Sequence, residues 1–252
     1  MVIKIIIVCM AGFLGAMVDA IVGGGGLITI PALLATGMPT HLALGTNKFA
    51  SSMGTISSAY HYFKSGEVNF GLLKYLLPLS LVGSAFGVMT VLLIDPEFLK
   101  TLIIVMVLII GSYTLLKKDL GLHNKFSGLT KKKILLGMIL ALGLGFYDGF
   151  FGPGTGSFII FGLIGILGYD FKKASANSKF MNFTSNFTAL ILFLINGQIW
   201  FLYALPMAVA MIIGARVGAT LAIKNGARFI KPVFIIVSFA LVAKMLFEMI
   251  GG

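Results

Sequence analysis

Charge is what this sequence has least of. Only 11% of its 252 residues are Asp, Glu, Lys or Arg, against about 25% in an ordinary soluble domain. With 58% of the chain apolar and a mean hydropathy of +1.05, too few polar residues remain to cover one large water-facing globule. Cysteine occurs once, as Cys9, which excludes an intrachain disulfide and any metal site assembled from several cysteines. The three histidines, His41, His61 and His123, lie near segment ends or in a loop, and no metal-ligand spacing joins them. Acidic residues are scarce too, 8 against 19 basic ones, for a net charge of +11. In a soluble protein that excess would suggest nucleic acid. Here it is read against position first, because cytoplasmic loops of membrane proteins collect Lys and Arg.

What is present in quantity is long apolar sequence. Apolar stretches run roughly over 1–22, 27–36, 41–63, 69–94, 98–116, 133–151, 156–168, 174–195, 199–223 and 230–250. They predict an all-α polytopic membrane protein. The first stretch carries one lysine and no small-residue cleavage context, so it reads as a retained membrane helix rather than a signal peptide. Two stretches, 27–36 and 156–168, are too short for the ~20 residues a spanning helix needs. Each follows a glycine-rich break, "VGGGG" at 22–26 and "FGPGTG" at 151–156. The run of four glycines is no phosphate-binding loop, since Gly-Lys-Ser/Thr does not follow.

The two breaks belong to an internal repeat. At an offset of 131, Gly37 meets Gly168, Ala43 meets Ala174, Lys48 meets Lys179, Phe49 meets Phe180 and Gly66 meets Gly197. The register continues through Gly83 and Gly214, Gly87 and Gly218, and Lys100 and Lys231. Asp19 meets Asp148 and Gly23 meets Gly152 at an offset of 129, so the second break is two residues longer. Short, glycine-interrupted segments at matching places in two halves point to a transporter built from repeats.

Between the halves lies the linker "KKDLGLHNKFSGLTKKK", residues 117–133, with six lysines and one aspartate. The positive-inside rule makes it cytoplasmic. The expected organisation is a first membrane repeat at 1–116, this linker, and a second repeat at 134–252, together one transmembrane domain. If each break closes a re-entrant hairpin, each repeat holds that hairpin plus three spans, and the odd count inverts the second repeat. Lys64, Lys74, Lys172, Lys173, Lys224, Arg228 and Lys231 then join the linker lysines inside. Lys4, Lys100, Lys244, Asp95, Glu97 and both termini fall outside. The alternative, in which the first helix of each unit crosses fully, places the Lys172/Lys173 loop outside, against the charge rule.

Lys48, Lys179 and Arg216 remain at membrane depth. A lysine about seven residues into a helix can snorkel to the headgroups, whereas an intramembrane base otherwise marks function. Ser51, Ser52 and Thr55 follow Lys48, and Asn182 and Asn186 follow Lys179, at helical spacing. Such faces suit a shared polar cavity. Half-helices opening at the breaks would aim free N–H groups and the positive dipole end into it, a setting for an anion. The candidate substrate-binding residues are therefore Lys48, Lys179, Gly24, Gly25, Gly26, Gly154, Thr155, Gly156, Thr46, Asn47 and Asn182. Asp19 and Asp148 have two readings: structural groups that accept hydrogen bonds from the glycine turns or pair with Lys48 or Lys179, or proton-coupling groups. Arg216 could face the cavity or pair with a carboxylate. The paired glycines Gly83/Gly87 and Gly214/Gly218 read as helix-packing positions, and Trp200 as an interfacial anchor.

The stretches "VGGGGLITIPALL" (22–34), "ALGTNKF" (43–49), "YDGFFGPGTGSF" (147–158) and "ASANSKFMNFTSN" (174–186) resemble the sulfite exporter TauE/SafE family of bacterial inner-membrane permeases. The resemblance spans essentially the whole chain. It implies a multi-pass transporter of small, typically sulfur-containing anions such as sulfite and organosulfonates, proton-coupled or facilitated, with no ATP use. A cysteine-relay carrier does not fit a chain with Cys9 alone.

The expected function is thus secondary transport of a small anion bound at the repeat interface, in a bacterial plasma or inner membrane. No cofactor, metal, enzymatic activity or nucleic-acid partner is expected; the partners are the small anion and the lipid bilayer. A passive anion channel is the alternative. A second is an intramembrane aspartyl protease using Asp19 and Asp148, which would call for Gly-x-Gly-Asp where the chain has other residues and would leave the lysines without a role.

Overall fold

The computed structural model describes residues 1–99, 101–103, 105 and 124–225. Expectations placed on 100, 104, 106–123 and 226–252, including Lys100, Lys117, Lys118, Arg228, Lys231 and Lys244, lie outside the described residues. The described chain is all helix and loop. Its helices are α1 (Val2–Val22), α2 (Gly26–Leu34), α3 (Thr40–Lys64), α4 (Phe70–Leu92), α5 (Lys131–Phe150), α6 (Thr155–Leu167), α7 (Phe171–Ile195) and α8 (Phe201–Asn225). Residues 96–99 and 101–103 are also helical.

Local chemistry sets these boundaries. Asn69, Thr130 and Asp170 cap α4, α5 and α7, each side-chain oxygen accepting from the backbone N–H three residues on. Left-handed glycines end helices and shape turns, where a Cβ would be strained. Six of them form equivalent pairs: Gly23 and Gly152 (φ 84° and 95°), Gly37 and Gly168 (83° and 75°), Gly66 and Gly197 (74° and 65°). α3 and α7 are both 25 residues long, and their first residues stand 131 apart, as do those of α4 and α8. The sequence repeat is therefore also a repeat of local structure.

α1, α4, α5 and α8 are long and apolar enough to cross a membrane. Their outer faces carry exposed Ile6, Ile7, Leu81, Phe86, Ile139, Leu142, Val209 and Ile213, as suits a lipid solvent. α3 and α7 are the polar pair and lie inside. Thr46, Asn47, Lys48, Ser52, Thr55 and Ser58 of α3 are buried, as are Asn177, Ser178, Lys179, Asn182, Ser185 and Asn186 of α7. Gly45 abuts Phe193, whereas Lys48 reaches Asn186, so contacts run in opposite order along these two helices.

The halves hold each other by exchanged contacts. Gly83 and Gly87 of α4 sit against the backbone at Leu142 and Phe146 of α5, while Gly145 and Gly149 of α5 sit against Ser80 and Ser84 of α4. On the other side, Gly214 and Gly218 of α8 sit against Phe13 and Met17 of α1. A side chain at any of these glycines would meet backbone atoms, so glycine is what lets these helices touch. Trp200 N donates to Thr46 Oγ1 at 2.9 Å, and the equivalent Asn69 N donates to Asn177 Oδ1 at 2.9 Å.

Each break joins a helix hairpin whose open ends are tied. Lys4 Nζ donates to Thr36 O at 2.7 Å, linking the start of α1 to the end of α2. Lys125 N donates to Gly168 O at 2.7 Å, linking the approach to α5 with the end of α6. The described linker residues therefore share one end of the molecule with the Lys172/Lys173 region, where Lys172 pairs with Glu67 at 3.0 Å.

Candidate functional site

The two breaks meet inside the bundle. Gly156 packs on Gly23, Ser157 N donates to Gly23 O at 3.1 Å, and Ser157 Oγ donates to Val22 O at 2.7 Å. The end of α1, rich in free carbonyls, is thus capped by the N-terminal donors of α6. Beside this junction lies a cavity of about 30 Å³, room for about two waters at ~10–15 Å³ each. Asp19, Gly25, Gly26 and Thr29 form the wall from the first hairpin, and Asp148 and Gly152 the wall from the second break. Asn47, Lys48, Ser51 and Thr55 of α3 and Asn182 and Asn186 of α7 close it, with Met211 and Ala215 of α8.

Two ion pairs cross between the halves. Lys48 Nζ lies 3.0 Å from Asp148 Oδ1, and both side chains are 3% exposed. Lys179 Nζ lies 2.9 Å from Asp19 Oδ2 and also donates to the Asp19 main-chain oxygen. Each lysine takes the aspartate of the opposite half, and the four formal charges cancel. Neither lysine is therefore a bare positive charge. A buried pair costs desolvation and is retained only with good geometry and further hydrogen bonds, and both are present. Lys48 also donates to Asn186 Oδ1 at 3.0 Å. Asp148 Oδ2 accepts from Ser185 Oγ at 2.5 Å. Asn186 Nδ2 in turn donates to Asn182 Oδ1.

One polar side chain in the wall is left over. Asn47 is 5% exposed, its Oδ1 is buried without a partner, and its amide makes no hydrogen bond among the described residues. Beside it, Gly25 and Gly26 present the first N–H groups of α2, which have no hydrogen-bond partner among the described residues. The second break differs. Thr155 N and Thr155 Oγ1 both donate to Gly152 O, at 3.2 and 2.7 Å, while Ser157 is committed to Gly23 and Val22. Pro153 of the second break lies against Gly26 of the first, and no carbonyl among the described residues reaches the Gly26 N–H.

Of the residues expected at the site, the structure brings Lys48, Gly25, Gly26, Asn47, Asn182, Asp19 and Asp148 together around the cavity. Gly24 sits in the first break just behind the wall. Gly154, Thr155 and Gly156 lie in the junction of the breaks, and Thr46 holds the start of α8. Lys179 is fully buried behind Asp19. Arg216 is on an exposed face of α8. Ala16, Thr29, Gly54, Gly152, Met211 and Ala215 also line the wall and were not among the expected site residues. Gly152 carried a signal, one helical turn beyond Asp148; apolar Met211 and Ala215 carried none. No hydrogen bond joins the carboxyls of Asp19 and Asp148, so a shared-proton aspartyl dyad is not what this arrangement forms.

Helices fit to cross a membrane, packed around a buried, charge-compensated polar cavity, describe a multi-pass membrane transporter, and the relatives agree. The chain is 40% identical over 237 residues to a "Probable membrane transporter protein" of Haemophilus influenzae, covering 94% of this chain and 92% of that one. It is 35% identical over 242 residues to the "Probable membrane transporter protein YfcA" of Escherichia coli, covering 94% and 88%. It is 24% identical over 269 residues to the "Probable membrane transporter protein YunE" of Bacillus subtilis, covering 96% and 97%. The family model described as Sulfite exporter TauE/SafE matches residues 8–245, and the chain belongs to that family. No solved structure matches it.

Proposed function

We propose that this protein is a secondary transporter of small anions, sulfur-containing oxyanions or organosulfonates, in a bacterial plasma or inner membrane. The substrate binds between two inverted repeats, each a re-entrant hairpin followed by spanning helices, and the repeats rock to expose it to either side. The observation that carries this reading is the cavity where the breaks meet, with Lys48, free N–H groups at Gly25 and Gly26, and the unpartnered Asn47 amide on one wall. Helix N-terminal N–H groups and an ammonium are the donors an oxyanion takes. The tied hairpin ends, the opposite run of α3 and α7 contacts and the exchanged glycine packing support the inverted arrangement. A cavity with room for about two waters supports a carrier that must rearrange to pass its cargo.

Proton coupling follows from the charge balance. An anion that binds Lys48 competes with Asp148 for the same ammonium. A carboxylate left buried without its cation is costly and is relieved by taking up a proton. Anion and proton then move together, and release of the proton re-forms the Lys48–Asp148 pair.

The test is uptake of labelled sulfite, sulfoacetate and sulfate by liposomes holding the purified protein, with and without a proton gradient. The proposal expects saturable flux of a sulfur anion, dependence on the gradient, loss of flux in Lys48→Ala, and gradient-independent flux in Asp148→Asn. Wild-type flux in Lys48→Ala contradicts it.

A further inference from the structure

The two repeat-related lysines have equivalent sequence positions and different surroundings. Lys48 is on the cavity wall, within hydrogen-bond reach of Asn186 and beside Gly152. Lys179 is not on that wall. It is fully buried, and its ammonium is spent on the carboxylate and main-chain oxygen of Asp19. That same Asp19 oxygen accepts from Gly23 N at 2.8 Å, the bond that closes α1 at its left-handed glycine. Asp19, unlike Lys179, does line the cavity, with a side chain 18% exposed against 3% for Asp148.

We propose that Lys179 is a positioning residue that never touches substrate. It clamps the end of α1 from the opposite half and cancels the Asp19 carboxylate, which would otherwise face an incoming anion. Lys48 alone of the two is the anion's ligand. This rests on the anion reading above. It adds that the pseudo-symmetric pairs have divided their work: one exchanges its aspartate for cargo, the other holds the wall.

The two breaks differ in what they turn to the cavity. In the second, Thr155 closes on Gly152 O, Ser157 binds the end of α1, and Gly154, Thr155 and Gly156 are not on the cavity wall. In the first, Gly25 and Gly26 line the cavity and their N–H groups have no hydrogen-bond partner among the described residues. The binding surface is therefore one-sided, made of the α2 N-terminus with Lys48. The lysine on the other side is left to manage the charge of Asp19.

Charge-neutral double variants separate the two roles. Lys179→Met alone uncovers the Asp19 carboxylate at the cavity and should weaken sulfite binding on the order of tenfold or more, by like-charge repulsion in a low-dielectric site. Adding Asp19→Asn removes that charge, so Asp19→Asn/Lys179→Met should bind sulfite close to wild-type strength. Asp148→Asn/Lys48→Met is just as neutral but lacks the ligand, and it should stay weak. Affinity is read by titration calorimetry on full-length protein in nanodiscs. Recovery in the first double variant and none in the second supports the division of work. Equal recovery or equal failure in both overturns it.

Thermal unfolding without ligand tells failure of this assignment from failure of the anion reading. The clamp requires Lys179→Met to lower the melting temperature and Asp19→Asn/Lys179→Met, which removes the stranded charge but does not restore the bond to the Asp19 main-chain oxygen, to recover only part of it. That pattern in a wild type that binds no sulfur anion overturns the anion reading and upholds the clamp. Lys179→Met melting like wild type overturns the clamp.

Discussion

The packing of α4 on α5 can be tested with one methyl group. A Cβ built on Gly87 would lie 2.6 Å from Phe150 N and also against Phe146 O, both backbone atoms of α5. At ordinary contact separations of ~3.5–4.0 Å, the two helices would have to part by roughly 1–2 Å. Neither can step aside, because Gly145 and Gly149 make the same close approach in return. Gly143 is the internal control: it lies on the same α5, and a Cβ there meets nothing within 4 Å. Gly143→Ala gains helix propensity of about 1 kcal/mol. Gly87→Ala gains the same and adds an overpacking penalty of about 1–3 kcal/mol, so the difference between the variants isolates the packing. At about 2–4 °C per kcal/mol for a chain of this size, the gap is roughly 2–12 °C. Thermal unfolding of both proteins in one detergent, followed by loss of the monodisperse peak, reads it. Gly87→Ala melting at or above Gly143→Ala would refute the close-packed α4–α5 interface.

Other residues give independent checks. Asp148→Asn leaves Lys48 buried without its counter-charge and should cost about 3–5 kcal/mol of stability, most of it regained when Lys48→Met is added; unfolding temperatures of the two proteins decide it. Gly152→Ala places a β-carbon on a residue at φ 95° and 3.1 Å from Lys48 Nζ, so it should cost about 1–2 kcal/mol and raise the KM for anion uptake. Thr46→Val removes the acceptor for Trp200 N, a loss of about 0.5–2 kcal/mol; Trp200 is the sole tryptophan, so its emission should shift as well. Glu67→Gln breaks the half-exposed pair with Lys172 and should change stability by less than about 1 kcal/mol.

The helices were legible because the lipid solvent writes them plainly. The apolar stretches 41–63 and 174–195 became Thr40–Lys64 and Phe171–Ile195, and the polar stripe on each marked them as the inner pair. The glycine repeat was read as well, Gly23, Gly37 and Gly66 recurring as Gly152, Gly168 and Gly197; that each is left-handed came only with the folded chain. Partners were harder. Periodicity tells which face of a helix is polar but not what it meets, so it could not say that Lys48 takes Asp148 and Lys179 takes Asp19. Nor could it separate Lys179, buried behind Asp19, from Lys48 on the cavity wall, because both stand at the same repeat position. Thr46 looked like a cavity group from its neighbours Asn47 and Lys48. It points a helix step away, to the start of α8, which only the folded chain brings near. Met211 and Ala215 reach the wall by packing alone.

The central claim is that an anion is held by Lys48 at the open N-terminus of α2. The most direct measurement is calorimetric titration of sulfite into wild-type protein and into Asp148→Asn/Lys48→Met, two proteins with the same net charge at the site. Saturable binding to the wild type, absent from the double variant, is the result expected. Equal binding by both would place the anion elsewhere and contradict the account.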